Sequence, residues 1–313
     1  MARLRRGGVR RRAHRVRPAG APVRTLTATT ARPAAPGALR QRAISALIFV
    51  PPLLIVLVLG GWWIVALIAI ATGLAAIEVF RLLGQAGYSS VPVLGVALAV
   101  GIVLDGAIPS DLEGSGLILV AIGTILAAVG AFARRDPREG LPTWFATVFG
   151  AVYASMLGFV VRLGVSAPQP PASAPLGFLH GDQAWILVLV LGVWAYDTGA
   201  YLVGKRFGRA RFLTHISPSK TYAGLAGGLV ASTVVVTVMT TLLGEPPLIG
   251  LALGPLLGLA AQAGDLAESV LKRAAGAKDS GTLIPGHGGI LDRVDSFLFA
   301  APVVALYVLA VVN

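Results

Sequence analysis

Apolar residues occur along this chain in long unbroken runs, separated by short polar or glycine- and proline-rich segments. Nine runs stand out, near residues 43–60, 62–83, 91–108, 115–133, 142–162, 183–203, 222–243, 248–271 and 295–312. At helical rise a bilayer is crossed by about 20 residues, so each run is close to a span in length. The runs are solidly apolar rather than alternating, which predicts helices and not a transmembrane barrel. The expected fold is therefore all-α, a polytopic transmembrane helical protein of about nine spans. Pro51 and Pro52 are expected to kink or thin the first run, and Gly60-Gly61 to turn the first two into a hairpin.

Composition agrees with this pattern. The chain is 56% hydrophobic and 13% charged, with a mean hydropathy of +0.80. It has no cysteine, which excludes disulfides, thiolate chemistry and cysteine-based metal sites. The formal net charge of +12 is not spread along the chain: the first 42 residues hold twelve arginines and no acid, and the basic and acidic residues of the remainder cancel. Residues 1–42 have no apolar period and read as a disordered, basic, cytoplasmic tail. Beside a membrane, anionic lipid suits such a tail better than nucleic acid, at about 1 kcal/mol per basic residue. The alternative is a solvated tail that only helps to set topology.

With the tail inside, alternation places the loops near 84–90, 134–141, 204–221 and 272–294 in the cytoplasm. These carry or adjoin Arg81, Arg134, Arg135, Arg138, Lys205, Arg206, Arg209, Arg211, Lys220, Lys272, Arg273, Lys278 and Arg293. The opposite loops, "DGAIPSDLEGSG", "GVSAPQPPASAPLGFLHGDQ" and "GEPP", contain no Lys or Arg. This asymmetry favours a cytoplasmic N-terminus.

Acids inside a bilayer are costly and usually line a cavity or serve a function. Asp197 falls late in the sixth run, Asp265 and Glu268 in the eighth, and Asp292 and Asp295 at the entrance to the ninth. Asp265, Glu268, Ser269 and Lys272 follow helical spacing and share one face. The bland reading is that these acids pair with Lys272, Arg273 and Arg293 and lock helices together. Glu78 is expected to pair with Arg81, one helical turn away. Grouped carboxylates without cysteine suit a hard cation such as Mg2+, which binds through one or two carboxylates plus substrate phosphates. Nearby Lys and Arg suggest phosphate as the second partner. Glycines in "GTLIPGHGG" allow backbone N–H groups to approach an anion. Together these features point to metal-assisted phosphoryl or nucleotidyl transfer. No Walker A and no dinucleotide-binding glycine pattern is present.

Residues 269–295, "SVLKRAAGAKDSGTLIPGHGGILDRVD", resemble the signature of the phosphatidate cytidylyltransferases, the CDP-diacylglycerol synthases. The likeness continues upstream in "DTGAYLVGKRFGR", "ISPSKTYAGLAGG" and "GDLAES" and covers roughly the last 120 residues. One position departs from the family pattern: Ala223 stands where a Glu usually follows the aromatic residue of the second motif.

The resemblance implies that CTP and phosphatidic acid give CDP-diacylglycerol and pyrophosphate. It implies that Asp265 and Asp292 hold Mg2+. Asp295 is a further candidate ligand, and Asp295 or Asp197 would serve a second, monovalent cation or support the first. Lys272, Arg273, Lys278, Arg293 and Lys220 would contact phosphates. His287 would orient a phosphate, carry a proton or simply stabilise the glycine turn. Asp279 joins the catalytic set, and Lys220, Ser217, Thr221, Asp197, Ser269, Gly288 and Gly289 the substrate-binding set, through the same match. The chain then divides into the tail (1–42), N-terminal transmembrane helices (43–180) and a C-terminal catalytic region (181–313). A homodimer in the plasma membrane is expected, the latter because the Arg, Ala and Gly content suggests a GC-rich bacterium. Competing readings are a CTP-dependent transferase acting on another lipid phosphate or alcohol, an ion-coupled transporter, and a non-catalytic scaffold.

Overall fold

The computed structural model describes residues 51, 53–108, 115–283 and 288–312. The arginine-rich tail, half of the first apolar run (43–50 and Pro52) and His287 lie outside the described residues. Among those residues the fold is all-helical, with one isolated antiparallel bridge between Arg211 and Thr221.

Nine helices follow in order: α1 (Gly61–Gln85), α2 (Pro92–Asp105), α3 (Ser115–Phe132), α4 (Pro137–Ser155), α5 (Phe159–Ser166), α6 (Gly181–Phe207), α7 (Tyr222–Leu242), α8 (Pro247–Ala274) and α9 (Leu291–Tyr307). A 3-10 turn, Met156–Gly158, joins α4 to α5, so that Pro137–Ser166 acts as one long apolar rod. Six rods are long and apolar enough to cross a membrane: Gly61–Gln85, Pro137–Ser166, Gly181–Phe207, Tyr222–Leu242, Pro247–Ala274 and Leu291–Val312. The third and fourth apolar runs form shorter helices, α2 and α3. Outward-facing side chains such as Val93, Phe132 and Leu117 are apolar, as suits a hydrocarbon solvent.

Local chemistry sets the helix starts. Asp136 accepts from the Arg138 amide at 2.8 Å, with Pro137 in the first position of α4. Thr221 caps α7 by accepting from the Gly224 amide at 3.1 Å. Gln183 reaches back to the His180 amide at the start of α6.

Small residues set the packing, as is usual where no hydrophobic force drives helices together. Helix α7 packs most extensively against α6 on one side and α8 on the other. Gly250 and Gly254 of α8 lie against the backbone of Thr237 and Thr233, and Gly199 of α6 lies against Gly227. The Ser232 hydroxyl donates to the Gly254 carbonyl at 3.0 Å across the α7–α8 seam. Helix α8 has 28 residues, which is about 42 Å at helical rise and longer than the ~30 Å hydrocarbon core. Its last turns, which hold Asp265, Glu268 and Lys272, thus have room to reach the edge of the apolar slab.

Candidate active site

The charged residues of α8 form one face, as their spacing predicts. Glu268 is fully buried. Lys272, one turn on, places Nζ 2.5 Å from Glu268 Oε2 and 2.8 Å from Asp292 Oδ1 in the first turn of α9. Asp265 pairs with Lys220, which arrives on the segment before α7. That segment folds back on itself: the Phe212 amide donates to the Lys220 carbonyl and the Tyr222 amide to the Ala210 carbonyl. Leu213 within it has φ 49°, a left-handed conformation unusual for a branched side chain.

A crossing of α8 and α9 completes the group. A Cβ added at Gly264 would come 3.1 Å from the Asp295 carbonyl carbon and 3.2 Å from Ser296 Cα. The bare glycine lets α9 lie directly on α8 beside Asp265. As a result one carboxylate oxygen from each of Asp265, Glu268 and Asp295 lies within 4.8 Å of the others. Glu268 Oε1 and the Tyr153 hydroxyl are buried without a hydrogen-bond partner among the described residues. Tyr153 belongs to α4 and lies in the electrostatic field of Glu268, Asp295 and Asp265. On the other side the Tyr196 hydroxyl donates to Gln262 Oε1 at 2.8 Å, one turn before Asp265.

Three oxygen donors this close repel one another unless positive charge stands among them. Lys272 and Lys220 supply part of it. An all-carboxylate donor set, with one buried oxygen unpartnered, fits a hard divalent cation.

Asp292 has other partners. Its Oδ2 accepts from the Ser280 amide at 2.9 Å and the Gly289 amide at 2.8 Å, and the Ser280 hydroxyl lies 2.9 Å away. Gly288 is left-handed (φ 79°), and a Cβ there would strike the Asp292 carboxylate. The glycine segment thus does present N–H groups to an anion, but the anions it meets here are the protein's own. Glu78 of α1 is the second: it accepts from the Ser280 hydroxyl at 2.8 Å, the Ile290 amide at 3.1 Å and the Leu291 amide at 2.8 Å. Arg81 is exposed, and the expected Glu78–Arg81 pair is not formed. Nothing local to α1 marks Glu78 for this contact, whose partners lie more than 200 residues away.

The remaining candidates take the following places. Asp197 lies on the exposed side of α6, within electrostatic range of Lys220 and Asp265. Arg273 donates to the carbonyls of Ile216 and Ala277, both at 3.2 Å, and so ties the loop bearing Ser217 to the end of α8. Lys278, Asp279 and Arg293 are exposed around the group. Ser269 is buried on α8, and Thr221 is engaged as the α7 cap. Ala223 is half-buried in the first turn of α7 and brings no carboxylate, so Asp197 is the acid near Lys220 on that side.

Six rods among the described residues are fit to cross a membrane, and a carboxylate–lysine group lies where α8, α9 and the segment before α7 meet, which defines a membrane-embedded helical protein with charge gathered at one place. The chain belongs to the Cytidylyltransferase family, whose sequence pattern matches residues 40–311. It is similar to the phosphatidate cytidylyltransferase of Synechocystis sp., at 34% identity over 86% of this chain and 96% of the relative. The protein of that name from Mycobacterium bovis is 35% identical over 82% of this chain and 81% of its own length. That of Bacillus subtilis is 48% identical over 120 residues, 38% of this chain and 45% of the relative.

Proposed function

We propose that the protein transfers the cytidylyl group of CTP to phosphatidic acid, forming CDP-diacylglycerol and releasing pyrophosphate. The observation that carries this reading is the meeting of Asp265, Glu268, Lys272, Asp292 and Asp295 at one point in a chain of this family. In the reaction a phosphate oxygen of phosphatidic acid bonds to the α-phosphorus of CTP, and the bond from that phosphorus to the α–β bridging oxygen breaks. The nucleophile is already ionised near neutral pH, so no general base is required. Catalysis then rests on positioning and on neutralising charge.

Each part of the group suits one of those tasks. Asp265, Glu268 and Asp295 would hold Mg2+, which when bound supplies a Lewis acid for the phosphate oxygens and the leaving pyrophosphate. Lys220 and Lys272 are held in place by carboxylates and present fixed ammonium groups to phosphate. Asp292 orients Lys272 and the glycine segment. The exposed cations Lys278 and Arg293 meet the outer phosphates as CTP arrives. The acyl chains of the lipid stay in the bilayer while its headgroup reaches this group at the helix ends. Lys205, Arg206, Arg209, Arg211 and Arg273 belong to the same end of the bundle, which the positive-inside rule assigns to the cytoplasm.

The test is turnover of radiolabelled CTP by purified protein with phosphatidic acid and Mg2+. CDP-diacylglycerol and pyrophosphate in equal amounts are expected. Preference for a different lipid phosphate or alcohol would change the substrate, and absence of any CDP-lipid product would overturn the reading.

A further inference from the structure

Glu78 stands apart from the catalytic motifs. It lies in α1, is 7% exposed, and has no cationic partner among the described residues. A buried carboxylate is costly unless fully hydrogen-bonded. Its two oxygens are met by the Ser280 hydroxyl and by the amides of Ile290 and Leu291, the residues that open α9. Those amides have no partner within their own helix, so Glu78 caps α9 from a different helix, and its charge suits that helix end.

The fit is close on every side. A Cβ at Gly281 would come 2.5 Å from Glu78 Oε1 and 3.0 Å from its Cδ, and one at Gly289 would collide with both Glu78 oxygens. Two glycines of the segment thus make room for this one carboxylate. The Ser280 hydroxyl also stands 2.9 Å from Asp292 Oδ2; its single proton serves one acceptor at a time. Asp292 in turn holds Lys272. A continuous set of contacts therefore runs from Glu78 through Ser280 and Asp292 to Lys272, while the cap on Ile290 and Leu291 fixes the turn from which Asp292 and Asp295 project.

We infer that Glu78 is a positioning residue for nucleotidyl transfer: through Ser280 and the first turn of α9 it sets where Asp292, Lys272 and Asp295 stand. This rests on the function proposed above. In Glu78→Gln the amide nitrogen turns a donor toward the Ile290 or Leu291 donor, so one of these amides loses its acceptor.

The experiment compares KM for CTP in wild type, Glu78→Gln, Gly281→Ala, Glu78→Ala and the Glu78→Ala/Gly281→Ala double variant. Hydrogen exchange at the Ile290 and Leu291 amides is followed in each, without substrate. Glu78→Gln and Gly281→Ala are expected to raise KM for CTP by about tenfold, as loss of a group that orients a ligating residue does. They also lose amide protection at Ile290 and Leu291. In the Glu78→Ala background Gly281→Ala adds less than about twofold, because the carboxylate it strikes is gone. A wild-type KM with only a smaller active fraction, or independent effects in the double variant, overturns the inference. If Glu78→Ala does not fold, Gly281→Ala alone decides, through its KM and its amide exchange. Wild-type protein that makes no CDP-lipid defeats the functional reading instead, which separates the two failures.

Discussion

Lys272 Nζ lies 2.8 Å from Asp292 Oδ1, joining the last turn of α8 to the first turn of α9. The same ammonium lies 2.5 Å from Glu268, whose side chain is fully buried. One cation thus balances two carboxylates where water has little access. Removing one member of a buried ionic group leaves uncompensated charge, at about 3–5 kcal/mol. Lys272→Met is expected to abolish measurable CDP-lipid synthesis and to lower the thermal unfolding midpoint. Unchanged stability by thermal denaturation in detergent would show that Glu268 and Asp292 do not depend on it.

The carboxylates separate into two sets by their partners. Asp265 and Asp295 stand with Glu268 in the three-oxygen group, while Asp292 is taken up by Lys272, Ser280 and Gly289. Asp265→Asn and Asp295→Asn are expected to raise the half-saturating Mg2+ concentration by about tenfold or more. Asp292→Asn is expected to reduce activity with a smaller change in Mg2+ dependence. A Mg2+ titration of the three variants checks this; the largest shift falling on Asp292→Asn would reverse the division.

Gly264 is the point at which α8 and α9 touch through backbone. Gly264→Val forces the helices apart, and overpacking of this kind costs about 1–3 kcal/mol. Because Asp295 is the residue displaced, activity should fall by more than the loss of folded protein explains. Normal turnover per folded molecule in Gly264→Val would mean that Asp295 need not lie beside Asp265.

Thr221 belongs to a motif expected to bind substrate, yet its hydroxyl is engaged in capping α7. Thr221→Ala is expected to cost about 1 kcal/mol of stability, and Thr221→Ser to restore it. Thermal midpoints of both variants measure this. An activity loss in Thr221→Ala with unchanged stability would instead assign the hydroxyl to substrate.

Much of this was legible from residue order alone. Runs of apolar residues marked the helices, and the spacing of Asp265, Glu268 and Lys272 placed them on one face. Helix length was less legible: the run near 91–108 looks like a span in composition, but α2 covers only Pro92–Asp105 of it, whereas α3 (Ser115–Phe132) fills nearly the whole of its run. Within the site, residues on one helix were readable because their relation is periodic. Relations between helices were not. The sequence offers Arg81 to Glu78 at helical spacing, and the folded chain prefers backbone amides more than 200 positions away. Likewise, the glycines after Lys278 suggest room for an incoming anion, whereas Asp292 and Glu78 already stand there.

The Glu78 contact also bears on how the chain can be taken apart. The recognisable motifs all fall after residue 181, which invites the thought of a detachable catalyst on a greasy mount. Yet the start of α9 is capped from α1, and Tyr153 of α4 lies within electrostatic range of the acid cluster. A fragment beginning at α6 would carry every motif and still lack one wall of its own site. The earlier helices are part of the tool rather than its handle.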